Sequence, residues 1–225
     1  MKNEITNKNY EEFAQKVFLT TLWTDFSVSK TKQYGDRKYK GNFMPEIVIN
    51  SLLRYTRTND YVLDMFAGGG TTIDVCKDYN RNCIAIDLNP CRQDIIQSDA
   101  QTFISNIEVK HIFMHPPYFS VIKYSEKDND LSNCYNKVIK EQDFSKFYMQ
   151  LNNCIINANK NLEKDGFLTF VIGDLFYKGQ WYMTHSKCNE LFENNGFQLK
   201  SLNIKQGSDV RNNNKDYKLW LYRTL

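Results

Sequence analysis

The sequence predicts a doubly wound α/β fold, built on a mainly parallel, seven-stranded sheet whose C-terminal strand runs antiparallel. Three observations carry this. Apolar runs of strand length alternate with helical patterns along most of the chain. The first two such runs, residues 61–64 and 83–87, each end in an acid, Asp64 and Asp87. The last two strands are joined by a polar loop with no helix between them, a connection that suits an antiparallel pair. The 225 residues accommodate one large domain, or one domain with an arm. Residues 1–40 read as the arm and 41–225 as the domain.

The elements follow in order. Tyr10, Phe13, Val17 and Phe18 recur at helical spacing and predict a helix in the arm. Residues 27–42 hold five basic residues and one acid, with Tyr34 and Tyr39 interleaved. This stretch is either a solvated loop or a flexible strip that follows a phosphate backbone and offers tyrosines for stacking. Pro45 suits the first position of a helix whose apolar stripe is Ile47, Val48, Leu52 and Leu53. Strand 61–64, the turn Gly68-Gly69-Gly70, a helix from Thr71 to about Tyr79 and strand 83–87 come next. Ile95-Ile96 is a third short strand with Ser98-Asp99 at its end, and 109–114 is a fourth. Residues 119–143 are polar and charged, and predict a long mobile segment. A helix over 144–162 is stopped by Asp165-Gly166 before strand 167–172. Beyond it lie an irregular loop at 175–183, a helix at 185–194, a strand at 197–204, a polar loop at 206–216 and a closing strand at 217–222.

Composition excludes several classes. A net charge of +3 is no polycation, so any nucleic-acid surface must come from local clustering. The six cysteines include no Cys-x-x-Cys pair and only three histidines exist, which argues against a metal site. Free thiols of this kind fit a reducing compartment, and the polar start of the chain reads as no signal peptide, so the expected location is cytoplasmic. No stretch approaches a membrane span.

Two stretches carry chemistry. Asp64-Met65-Phe66-Ala67-Gly68-Gly69-Gly70-Thr71-Thr72 joins a strand to its helix, and glycines there let backbone turn tightly and approach a ligand. Free N–H groups of the helix start lie behind them. The spacing is not that of a dinucleotide turn and no Lys-Ser or Lys-Thr follows, which favours a nucleoside ligand without phosphates. Asp87 can accept from both ribose hydroxyls of such a ligand, and Asp64 from a charged amino group. The second stretch, His115-Pro116-Pro117-Tyr118, follows the strand 109–114. Its prolines cannot join a helix or a sheet ladder, so it forms a rigid lip with free carbonyls beside an aromatic face. That suits a planar ring with an exocyclic amino group.

Together these residues resemble the amino-group DNA methyltransferases, with the cofactor motif ahead of the catalytic one. The resemblance covers roughly residues 40 to 222. Gly69 stands where that family often has serine. His115 stands where it usually has Asp or Asn in adenine enzymes and Ser in many cytosine enzymes. The resemblance implies a Rossmann-like methyltransferase fold and S-adenosylmethionine as cofactor. It implies cofactor contacts from Asn42, Pro45, Asp64, Phe66, Ala67, Gly68, Gly70, Thr71, Thr72, Asp87, Leu88 and Asp99. Phe66 serves either that contact or the core, and Ser98-Asp99 either that contact or a helix cap. The implied reaction is direct methyl transfer to N6 of adenine, or alternatively N4 of cytosine, on a base flipped out of the duplex. In it, Tyr118 stacks on the base while His115 and the Pro116 carbonyl, beside Pro117, accept from its amino group. Motif order and length leave no room for a large recognition domain. DNA contacts are expected instead from Lys32, Arg37, Lys38, Lys40, Lys123 and Arg211, joined by Lys127, Lys178 and Lys205. Taken alone, each of these charges fits an ordinary surface role better than a DNA contact. Low specificity, a homodimer, or a separate specificity or restriction partner are the expected ways to complete recognition. An RNA amino-methyltransferase and a non-catalytic nucleic-acid-binding subunit are the other readings.

Overall fold

The computed structural model describes residues 20–23, 32–42, 44–137 and 140–205, and the backbone of 220–224. The expected arm helix, the start of the basic stretch, Arg211 and the 206–216 loop lie outside the described residues.

One sheet of eight strands organises the chain, in the order β1-β11-β12-β8-β5-β2-β3-β4. These are β1 (Leu22–Trp23), β2 (Tyr61–Asp64), β3 (Asn82–Asp87), β4 (Ile96–Gln97), β5 (Val109–Met114), β8 (Leu162–Gly173), β11 (Ser201–Lys205) and β12 (Trp220–Thr224). From β8 through β5, β2 and β3 to β4 all pairings are parallel. β12 runs antiparallel to both β8 and β11. The doubly wound, mainly parallel architecture holds. The eighth strand is the addition: β1 comes from the stretch read as an arm and pairs parallel with β11. Trp23 anchors it, 4% exposed, with its indole N–H donating to the Thr20 carbonyl at 2.9 Å.

Alternate residues of the central strands serve opposite helical layers. Val62 of β2 and Phe113 of β5 pack with α1 (Pro45–Tyr55) and α2 (Thr71–Asp78), through Val48, Leu52 and Val75. Their neighbours Leu63, Ile112 and Met114 pack with α3 (Phe144–Asn161) and α4 (Thr184–Asn194), through Phe147, Leu151, Ile155 and Phe192. Burial on both faces is why these strands read as unbroken apolar runs.

Three expectations change. The Asp165-Gly166 stop lies inside β8, because α3 passes directly into that strand and the pair forms an irregularity against β5, with Asp165 at φ 62°. The described residues between 119 and 143 pack against the domain. Phe119 turns into the core at φ 50°, its ring centroid 4.1 Å from that of Phe147, and Leu131 and Cys134 are buried beside it. A two-stranded clip, β6 (Tyr135–Asn136) with β7 (Glu141–Gln142), closes the segment. The 175–183 loop is a hairpin, β9 (Leu175–Tyr177) with β10 (Gln180–Tyr182).

Candidate active site

β2 pairs with β3 on one side and β5 on the other, so the connections leaving these strands diverge at β2. A crevice opens at the carboxyl ends of strands at such a point. The glycine turn after β2, Asp87 at the end of β3 and the lip after β5 therefore share one edge.

The glycine turn is wired from several directions. Gly68 and Gly70 adopt φ of 49° and 82°, a region that costs other residues strain. The Gly68 amide donates to Asp87 Oδ2 at 2.9 Å, and the Asn89 amide to Oδ1 at 2.8 Å. Arg92 donates to the Gly69 and Gly70 carbonyls, both at 3.3 Å, and pairs with Asp74 at 2.9 Å and Asp94 at 2.6 Å. Residues 35–42, the end of the basic stretch, strap the turn. The Asp36 amide donates to the Gly69 carbonyl at 2.8 Å, and the Gly35 amide to Asp74 at 2.7 Å. Asn42 reaches back to the Asp36 carbonyl and abuts Gly69, where a serine side chain would strike its Oδ1. Tyr39 covers Gly68 and stacks on Tyr124 at 5.7 Å between ring centroids.

Beneath this strap lies a cleft walled by the strap, the glycine turn and the segment around Tyr124. Of the expected cofactor residues, Asn42, Phe66, Ala67, Gly68, Asp87, Leu88 and Asp99 line it. Asp64, Gly70, Thr71, Thr72 and Pro45 do not. Asp64 sits buried under the turn, accepting from the Phe66 amide at 3.0 Å. Burial raises its carboxyl to about 6, against the Thr72 hydroxyl and the Phe66 amide, which pull it down. Gly70 faces Arg92, Thr71 and Thr72 form the buried first turn of α2, and Pro45 opens α1. Asp99 caps a turn and stands on the cleft wall. It accepts from the Gln101 amide at 2.8 Å as a turn cap, and from the Asn129 carboxamide at 2.6 Å on the cleft wall.

This donor and acceptor set fits S-adenosylmethionine. Asp87 and Asp99 offer carboxylates to hydroxyl and amino groups, and apolar atoms of Phe66, Ala67 and Leu88 flank a flat ring. Asn42 Oδ1 is buried with no hydrogen-bond partner among the described residues, an acceptor at the cleft wall that a ligand N–H would satisfy.

A second, wider cleft adjoins the first. Pro116, Tyr118, Val121, Phe176, Trp181 and Lys205 are among its walls, and His115 and Pro117 line both clefts. His115 Nε2 and the Tyr118 hydroxyl lie 2.6 Å apart. Desolvation in the crevice, reinforced by the Lys205 ammonium, pushes the His115 imidazole down to about 3, so the ring is neutral near pH 7.

Of the basic residues expected to meet DNA, Lys32 pairs with Asp78 at the opposite end of α2 from the cleft, and Lys123 pairs with Glu126 at 2.5 Å. Lys178 pairs with Glu141 at 2.5 Å and Lys127 donates to the Leu88 carbonyl at 3.0 Å. Arg37, Lys38 and Lys40 stand exposed on the strap. The Tyr34 hydroxyl donates to Asp78 at 2.7 Å, and the Tyr39 ring packs on Gly68 and stacks on Tyr124. Among the described residues no cluster of His, Cys, Asp or Glu is placed to hold a metal ion, and no helix is long and apolar enough to cross a membrane.

Sequence reading missed Arg92, Tyr124, Asn129 and the pair Phe176 and Trp181. Each acts across the fold, from loops whose sequence shows only polar or aromatic character.

The fold is that of S-adenosylmethionine-dependent methyltransferases. A TehB-like methyltransferase from Corynebacterium glutamicum superposes with a TM-score of 0.51 at 14% identity, over 96% of this chain and 95% of that one. A ribosomal protein L11 methylase from Lactobacillus delbrueckii gives 0.51 at 12%, over 84% and 82%. Residues 1–98 match the sequence profile of the N6/N4 DNA methylase family. Relatives include the type II methyltransferases M.MjaII of Methanocaldococcus jannaschii, 39% identical over 57 residues, and M.Cfr9I of Citrobacter freundii, 37% over 87 residues. Those alignments take in 25% and 39% of this chain, and only 11% and 27% of the relatives' lengths. The matched family region holds the glycine turn and Asp87, and ends before His115.

Proposed function

We propose that the chain is a site-specific DNA methyltransferase acting on an exocyclic amino group of a flipped base, N6 of adenine first and N4 of cytosine as the alternative. One observation carries the reading: His115 and Pro117 are common walls of the cleft that holds Asp87 and Asp99 and of a wider cleft beside it. S-adenosylmethionine supplies an electrophilic methyl group from the first cleft. The chain's own residues then act by position. Asp87 and Asp99 orient the nucleoside end, and Asn42 supplies a further acceptor. In the second cleft Tyr118 receives the face of the target base. The Pro116 carbonyl and the His115 imidazole accept from its amino group, which frees the nitrogen lone pair for attack. Held neutral at a value of about 3, His115 is an acceptor and not a base, so the surplus proton passes to water. Catalysis of this kind is positioning and electrostatics. The six cysteines, with no Cys-x-x-Cys pair among them, suit the cytoplasm, where we place the chain.

The test is labelled S-adenosylmethionine with DNA or RNA, followed by digestion to nucleosides. Label in N6-methyladenine or N4-methylcytosine of DNA is expected. Label in RNA alone would replace this reading with an RNA enzyme, and cofactor binding without any transfer would replace it with a binding subunit. His115→Ala should keep cofactor affinity and lose transfer by about 100-fold, the scale of one oriented polar group in a reacting site. Unchanged transfer would make His115 a turn residue only.

A further inference from the structure

The β9–β10 hairpin presents two different faces. Phe176 and Trp181 are direct cross-strand partners, so they share one side, while Leu175, Tyr177 and Tyr182 share the other. The second side is glued down: Tyr182 stacks on Phe144 of α3 at 4.4 Å, and Tyr177 meets the same ring at 6.3 Å. The first side is left out. Phe176 is 46% exposed and Trp181 49%, with ring centroids 5.2 Å apart, and both line the wider cleft. Val121, 49% exposed, extends the apolar surface on the lip side of the same cleft. A rigidly backed pair of aromatic rings at the rim of a site is a surface awaiting a flat partner.

We infer that Phe176 and Trp181 form a second stacking platform, which receives the base next to the target nucleotide on the same DNA strand. The inference rests on the methyltransferase reading for the identity of the strand. Two observations favour a nucleotide over another protein. The rings open into the same cleft as Tyr118, with Lys205 among its walls. The cleft is continuous with the lip, through Pro116 and Tyr118. With the Tyr118 hydroxyl held by His115, one aromatic face serves the target and the rim pair serves its neighbour. Two successive bases then leave the duplex stack, and single-stranded DNA becomes the tighter ligand.

Titrating the full chain with a short single-stranded DNA while following tryptophan emission tests this. Of the three tryptophans, Trp23 is buried and Trp181 exposed; a quench should appear and should vanish in Trp181→Phe, where Trp23 and Trp220 remain, while affinity stays within about twofold. Phe176→Ala with Trp181→Ala should weaken single-strand binding about tenfold or more, the scale of losing an aromatic stack, and leave S-adenosylmethionine affinity unchanged. 2-Aminopurine beside the target position should brighten with wild type and stay dark with the double variant. Unchanged single-strand affinity in a folded double variant overturns the inference, even if the variant still methylates DNA normally and the functional reading survives. Binding and quenching without transfer to any DNA would sink the functional reading and keep the platform. No binding of single-stranded DNA by wild type, or a dimer that the double variant abolishes with DNA binding intact, would overturn the platform.

Discussion

Asp64 shows how a single buried group couples the turn to pH. Its carboxyl, raised to about 6 by burial, holds the Phe66 amide yet pays for ionisation in the core. The folded state therefore binds more protons than the unfolded chain between an ordinary carboxylate value and about 6, and stability falls as pH rises through that window. Asp64→Asn keeps an acceptor for Phe66 and removes the charge. It should raise stability at pH 7, by up to roughly 2–3 kcal/mol for a shift of about two units. It should also flatten the pH dependence between 4 and 6, read from urea midpoints. Identical profiles for variant and wild type would refute the assignment. His111 works in the opposite sense: burial pushes it down to about 3, so its contribution is present at neutral pH and is lost as pH falls through the ordinary imidazole range.

At the scale of elements, the strap, the glycine turn and α2 form one unit joined by Arg92. Gly70 provides α2 with no side-chain cap, and Arg92 ties the carbonyls of that turn to Asp74 on the helix. Arg92→Ala should lower thermal stability by about 1 kcal/mol, since the pair is partly solvated. It should also weaken S-adenosylmethionine binding several-fold by loosening the turn, as calorimetry can measure. Full affinity in the variant would mean that the turn holds its shape without Arg92. The contrast between legible and hidden parts is clearest here. Strand ends with acids, three glycines and two prolines are local signals, and they located the cleft edge directly. Arg92 and Tyr124 gain their roles from contacts far along the chain, 22 residues away for Arg92 on Gly70 and 84 for Tyr124 on Lys40. Tyr39, which covers Gly68, reads locally as part of a basic loop. Phe119 likewise hid a core contact in a polar stretch, because its left-handed backbone breaks the periodicity on which such a reading depends.

Across the whole molecule, the cleft is closed by two segments distant in sequence, the strap at 35–42 and the segment around Tyr124 and Asn129. A ligand held between them stabilises both, by about 2.7 kcal/mol at a hundredfold excess over its Kd. Hydrogen exchange should slow on S-adenosylmethionine binding in 35–42 and 124–131 together, with little change in β11. Protection confined to the glycine turn would show that the two segments are not coupled by the cofactor. The sheet order also bears on how the molecule comes to exist. β12 stands between β8 and β11, so the edge formed by β1 and β11 joins the central strands only through the chain's last described strand. During synthesis, Leu22 and Trp23 emerge early and must wait for residues 220–224 before their side of the sheet can be completed. Such distant pairing slows folding and leaves strand edges open in the meantime. The crevice between β2, β3 and β5 has all its strands on hand much sooner, so a nascent chain acquires the methyl-donor pocket before it acquires its finished outline.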